Sequence, residues 1–262
     1  MLYNKTLYTR PINIYIGEIY EYDIYRANIS ALYQCGYFSK EDFDNYNRLP
    51  KNQRQIAIGL LQKDSSVRNL IKDNIKEARK NLIISNDIKD DEVISIKNDA
   101  MFINRLLQNT EFDKMRFRVK NQYYVFLYIK ECHLEIYFGI SDFSYNIDVK
   151  GIKDNLLPYH AKYLSFISEI LNMIYNKNYD KAIEYLIDFD SKYNRLELDI
   201  EYYRELNSKS MYRIINTDYL ITTIGESDKN LLDISYNSYI NRRILSIVTE
   251  LYLRSRRTNN RR

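Results

Sequence analysis

At 262 residues, with 45% apolar and 28% charged side chains, the chain can bury a full core and is neither a disordered segment nor a disulfide-stapled miniature. Its net charge of +4 does not by itself announce a nucleic-acid partner, and no apolar run approaches the roughly 20 residues of a membrane span. Cys35 and Cys132 lie far apart without CxxC spacing, so neither a disulfide framework nor a zinc site is indicated.

The elements follow in chain order. Residues Ile12 to Ile24 alternate apolar and polar side chains and read as one or two strands. Asp23 sits where that pattern stops. From Arg26 to Gln34 the apolar spacing turns helical and Gly36 closes the helix. Ser39 followed by Asp42 is a helix-starting signature for a second helix to about Tyr46. Pro50 opens a third helix to Lys63, and a long basic helix runs from Ser66 to Leu82.

Strands resume at Val93 to Ile96, Ala100 to Arg105, Arg116 to Val119, Tyr123 to Lys130, Leu134 to Phe138 and Tyr145 to Val149. Their links are too short for crossovers, so the pairing is expected to be antiparallel. Asp99 falls at the tip of the hairpin formed by the first two. From His160 on the pattern is mainly helical, with a small strand pair near Met211 to Thr223 and a last helix from about Tyr236 to Arg254. This is an α+β plan: an antiparallel sheet with a helical insertion over 26–85, expected as a domain of residues 1–155, then a mainly helical part over 156–262. The tail from Arg254 to Arg262 carries five Arg in nine positions with no acid, enough to touch phosphates, or to act as a solvated helix end.

Two acidic residues delivered at strand ends, Asp23 and Asp99, can converge and hold divalent cations. The stretch from Asp23 to Ser30 (DIYRANIS) resembles the first metal motif, DxxSLYPS, of family-B DNA polymerases, keeping its first Asp and last Ser. Asn28 stands where that family has the Tyr that discriminates against ribose. The stretch from Ser95 to Ala100 (SIKNDA) resembles the second motif, YxDTDS, with Lys97 in place of the first Asp and Asp99 in place of the second. Lys51 to Gly59 (KNQRQIAIG) falls where the family has its nucleotide-binding helix KxxxNSxYG, Lys120 to Tyr123 (KNQY) resembles its KKRY element, and Asp148 to Ile152 (DVKGI) resembles the segment leading into its thumb. These five degenerate matches keep the family's order over residues of about 15 to 165.

The resemblance implies a reduced palm and thumb module. Asp23 and Asp99 would bind Mg²⁺ or Mn²⁺ for template-directed nucleotide addition, Lys51 and Arg54 would contact the triphosphate, and Lys120 and Tyr123 would track the nucleic acid. Nucleic acid and a replication protein are the implied partners, with no membrane association.

Two other readings stay open. One is a catalytically inactive relative that binds nucleic acid or a replication partner, in which Lys97 neutralises the site. The other is a phage structural or assembly protein of unrelated fold, with both Asp as ordinary turn and strand-end residues. The bias toward Ile, Asn, Lys and 27 Tyr reflects an AT-rich genome such as that of a low-GC bacterium or its phage. The N-terminus (MLYNKTLYTRP) lacks the apolar core of a signal peptide, so a cytoplasmic protein is expected, in the host cytoplasm if phage-encoded. With only His133 and His160 and no GxSxG, P-loop or HExxH, other catalytic classes have little material.

Overall fold

The computed structural model describes residues 2–141, 144–152, 157–158, 160–203, 206 and 228–259, so the strand pair expected near Met211 to Thr223 lies outside the described residues. The chain is α+β, with antiparallel strands, four helices inserted after the second strand, and helices again toward the C-terminal end. It forms two compact units, Met1–Arg10 with Glu18–Tyr123, and Pro11–Gly17 with Tyr124–Arg262. The sequence pattern changes from strand to helix near 155. Compactness divides the chain earlier, because strands after residue 123 share a core with the C-terminal helices.

The first unit holds β1 (Leu7–Thr9), the second half of β2 (Ile14–Ile24), β3 (Val93–Lys97), β4 (Ala100–Ile103), β5 (Glu111–Phe112) and the first half of β6 (Met115–Ile129). Their lateral order is β1-β3-β4-β2-β6, with β5 folded back on the start of β6. In β2 the pleat sends Tyr20, Tyr22 and Ile24 into the core and Glu21 and Asp23 to the opposite face. Strand β6 is continuous where the sequence suggested a break at Lys120 to Gln122. That polar run stays in the ladder because β2 answers it: Asn121 Nδ2 donates to Glu21 at 2.6 Å and Gln122 Nε2 to the Tyr20 hydroxyl at 3.4 Å.

The inserted helices are α1 (Ala27–Gln34), α2 (Lys40–Arg48), α3 (Lys51–Leu61) and α4 (Ser65–Ser85). Gly36 closes α1 at φ 77, a conformation that suits a residue without Cβ. The Ser39–Asp42 capping box starts α2: the Asp42 amide donates to Ser39 Oγ at 3.1 Å and the Ser39 amide to Asp42 Oδ2 at 2.9 Å. Along α4, Val67, Ile71, Ala78 and Leu82 fall on one face and are buried. They join Ile29 and Leu32 of α1 and Ile96 and Met101 of the hairpin in one core.

The second unit pairs the end of β6 with β7 (Leu134–Ser141), from Val125 opposite Phe138 to Ile129 opposite Leu134, and β7 with β8 (Ser144–Lys150). Helices α5 (Ala161–Tyr175), α6 (Tyr179–Asn194) and α7 (Asp228–Asn259) complete its core. Phe166 and Phe189 stack there with ring centroids 3.6 Å apart. Among the described residues no helix is long and apolar enough to cross a membrane.

Gly151 follows β8 at φ 106, and a Cβ built on it would lie 2.3 Å from the His133 carbonyl oxygen. Gly151→Ala is expected to cost about 2–4 kcal/mol through strain and steric displacement. Gly59→Ala, in open space on α3, should instead gain about 0.5–1 kcal/mol through helix propensity. Urea denaturation of both variants checks the contrast; a neutral Gly151→Ala would contradict the close approach.

Candidate active site

Strand β2 ends at Ile24 and α1 begins at Ala27, so only Tyr25 and Arg26 make the turn. Arg26 adopts φ 51, a left-handed conformation that costs a non-glycine residue of order 1 kcal/mol. Two bonds hold the turn. Ser30 Oγ, buried in α1, donates to the Tyr25 carbonyl at 2.8 Å, and the Arg26 guanidinium donates to the Asn47 carbonyl at the end of α2. The break therefore delivers Asp23 at the last position of β2 that pairs with β4.

Register brings the second carboxylate to it. Asp23 pairs with Ala100 across β2 and β4, and Asp99 immediately precedes Ala100 in the two-residue turn between β3 and β4. Asn98 takes the left-handed position of that turn at φ 55. Arg79 of α4, wholly buried, grips the turn from behind: its Nη1 donates to the Asn98 carbonyl at 2.9 Å and to the Lys5 carbonyl at 2.6 Å. Its Nε and Nη2 have no hydrogen-bond partner among the described residues. Burial lowers the Arg79 pKa, and the Asp99 charge opposes that shift.

Asp23 and Asp99 line one cleft of about 480 Å³ in the first unit, together with Arg26, Lys51, Arg54, Arg118 and Lys120. Lys51, Arg54, Gln55 and Ile58 present one face of α3 to it. Arg54 Nη1 also donates to the Leu49 carbonyl at 3.1 Å, which holds its guanidinium near the start of the helix. Two carboxylates thus sit among five cations.

The Asp23 carboxyl is pushed up to about 6, chiefly by burial and next by the facing charge of Asp99. Lys120 and Arg118 pull it down, Arg118 through an ion pair at 3.6 Å. Glu21, two residues upstream on the same face of β2, pushes it up. Glu21 is buried and satisfied by three donors: Lys120 Nζ at 3.0 Å, Asn121 Nδ2 at 2.6 Å and the Tyr123 hydroxyl at 3.2 Å.

Of the residues expected from sequence, Asp23, Asp99, Lys51, Arg54 and Lys120 come together in the cleft. Tyr123 does not line it. It is wholly buried, and its hydroxyl donates to Glu21. Lys97, which takes the place of a family carboxylate, donates from Nζ to Thr9 Oγ1 on β1 at 3.1 Å and is not among the cleft-lining residues. Sequence reasoning missed Glu21, Arg26, Arg118 and Arg79. The alternation of Glu21 with Asp23 on one strand face was the available signal for the first; Arg79 looked like any cation of a basic helix.

Hard carboxylate oxygens suit a divalent cation, and Asp23 and Asp99 are the groups that could hold one. The mutual repulsion that raises Asp23 is what a cation between them would relieve. Among the described residues there is no cluster of three or more His, Cys, Asp or Glu side chains with metal-binding geometry.

The fold and this cleft define an α+β protein with an acidic pair set in a cationic pocket. Over residues 1–250 the chain matches the family model described as the bacteriophage PBS1 gene 130 protein, and it belongs to that family. The match supports a phage origin. Among curated proteins, none matches the chain.

The raised Asp23 pKa has a consequence for stability. Between the usual carboxylate value of 3.8 and about 6 the folded state binds the proton more tightly than the unfolded chain, so the stability that this proton brings is lost as pH rises through that window. Asp23→Asn should therefore be more stable than the parent above pH 6, by roughly 2–3 kcal/mol, and equal to it near pH 4. Denaturant midpoints at the two pH values measure the difference, and a gain of the same size at both would remove the carboxyl as its source.

Proposed function

We propose that the protein is a metal-dependent nucleotidyltransferase acting on nucleic acid, with the cleft of Asp23 and Asp99 as its active site. The observation that carries this reading is the convergence of two carboxylates, from a strand end and a hairpin tip, within a pocket whose other charged lining residues are five cations. A polyphosphate substrate needs both features. Its charge must be balanced by Lys and Arg, and its reacting oxygens must be close to a carboxylate-held divalent cation.

The residues divide the work by position. Lys51 and Arg54, on the first turns of α3, face the cleft where the positive end of the helix adds to their charge and would clamp a triphosphate. Arg26 is pre-set beside them by its strained turn and its bond to Asn47. Glu21 positions Lys120 at the cleft without itself facing substrate, and Tyr123 and Asn121 keep Glu21 in place. Asp23 and Asp99 would hold Mg²⁺ or Mn²⁺, which when bound supplies Lewis-acid activation of the attacking hydroxyl and charge neutralisation at the leaving phosphate. With a pKa near 6 Asp23 is largely ionised at neutral pH, as a metal ligand must be. The seating of Lys97 against Thr9 supports an active site over a neutralised one.

The basic end of α7, with Arg254, Arg256 and Arg257 exposed, supports nucleic acid as the partner. A nucleic-acid-binding protein without catalysis uses the same cations and is the outcome if chemistry fails.

Primer extension with Mg²⁺ or Mn²⁺ tests the reading. Wild type should extend, and Asp23→Asn and Asp99→Asn should each lose at least about 10³-fold in rate while remaining folded. Lys51→Gln should mainly raise the KM for nucleotide. No extension by wild type, with a melting temperature unmoved by either metal, would sink the enzyme reading.

A further inference from the structure

We infer that the outer face of β6 leading to the cleft is a track for the sugar-phosphate backbone of a single-stranded nucleic acid, with Lys114, Arg116 and Arg118 as its successive phosphate contacts. The inference deepens the nucleic-acid part of the proposed function and rests on it only for the identity of the polymer.

The strand alternates. Met115 and Phe117 are buried in the first unit's core, while Arg116 and Arg118 are exposed on the opposite face, and exposed Lys114 precedes them in the turn from β5. Side chains two apart on a strand are spaced about 6.6 Å, which is the separation expected for Arg116 and Arg118, while Lys114 stands in the turn at the strand's entrance. That spacing suits neighbouring phosphates of a stretched strand. A duplex, by contrast, curves its backbone away from a straight row.

The cations are also held in place before any ligand arrives. Lys114 Nζ lies 4.3 Å from the Tyr33 ring centroid and donates to the Tyr33 carbonyl at 3.3 Å. The guanidinium carbons of Arg116 and Arg118 lie 5.4 and 5.5 Å from the Tyr25 ring centroid, and that of Arg26 lies 5.1 Å from it. Three guanidinium groups around one ring repel one another. Aromatic contact limits their freedom and lowers the ordering cost when an anion binds.

The acids nearby pair with this charge only at long range. Arg116 has a long ion pair of 3.8 Å to exposed Glu111, and Arg118 pairs with Asp23 at 3.6 Å. Asp113, next to Lys114, accepts from Gln34 Nε2 at 2.9 Å. Arg118 itself lines the cleft, so the row ends where the chemistry is proposed.

The test is fluorescence anisotropy with a labelled oligothymidylate of about 20 nucleotides, as a single strand and as a duplex, across a salt series without divalent metal or nucleotide. Lys114→Gln and Arg116→Gln lie outside the cleft, and exposed Lys72→Gln on α4 is the charge-matched control. The double variant should weaken single-strand binding at least tenfold at low salt and reduce the slope of log K against log salt by about 1.4, about 0.7 per lost contact. Lys72→Gln should change neither. An unchanged slope in the double variant, an equal loss in the control, or tighter binding of the duplex through the same residues would each overturn the track. Because no metal or nucleotide is present, a failed track and a failed nucleotidyl transfer show up separately.

Discussion

The ladder between β2 and β4 is the constraint on which the cleft depends. Asp23 opposite Ala100 sets Asp99 next to Asp23, and the same register sends Tyr22 and Ile24 into the core. A slip of one residue would bury Asp23 and expose Tyr22, so the hydrophobic pattern enforces the placement of the acids. Packing and site geometry are therefore fixed by one set of backbone bonds. The strained turn at Arg26 and the buried grip of Arg79 on Asn98 hold the two strands at the one end of that ladder where the carboxylates meet.

The charges around the acids form a graded arrangement. Glu21 lies deepest and is fully satisfied; Asp23 is partly buried and carries the raised pKa; Lys51 and Arg118 are exposed at the rim. Local stability is given up at Asp23 so that the pocket keeps an under-neutralised anion, a common feature of functional sites. Arg79 is a second such concession, since a buried guanidinium with two nitrogens unpartnered among the described residues is worth retaining only where its other contacts position something.

The sequence made the helical insertion legible because its signals are local: the Ser39–Asp42 box, Gly36 after α1, and Pro50 before Lys51 each act within a few residues. The acidic pair was legible for a similar reason, since Asp23 and Asp99 stand where a strand pattern stops or turns. What could not be read were the contacts made across long separations. Tyr123 looked like a residue available to substrate, yet its hydroxyl is taken up by Glu21, 102 positions away. Lys97 looked like a cation inside the site, yet β1, a three-residue strand with too little pattern to detect, draws it to Thr9. The polar run at Lys120 to Gln122 looked like a break in β6 because its partners on β2 are about as distant.

The second unit takes in Pro11–Gly17 from near the start of the chain and resumes only at Tyr124. Within it the Tyr128 amide donates to the Asn13 carbonyl at 2.8 Å, a bond between residues made far apart in time. At a synthesis rate of about 5–20 residues per second, the early segment emerges several seconds or more before its partners exist. Its apolar residues Ile14 and Ile16, which pack against that later core, must stay soluble in the interval. Order of synthesis and order of assembly therefore differ in this protein: β2 is translated early yet is among the last strands whose whole length can be paired.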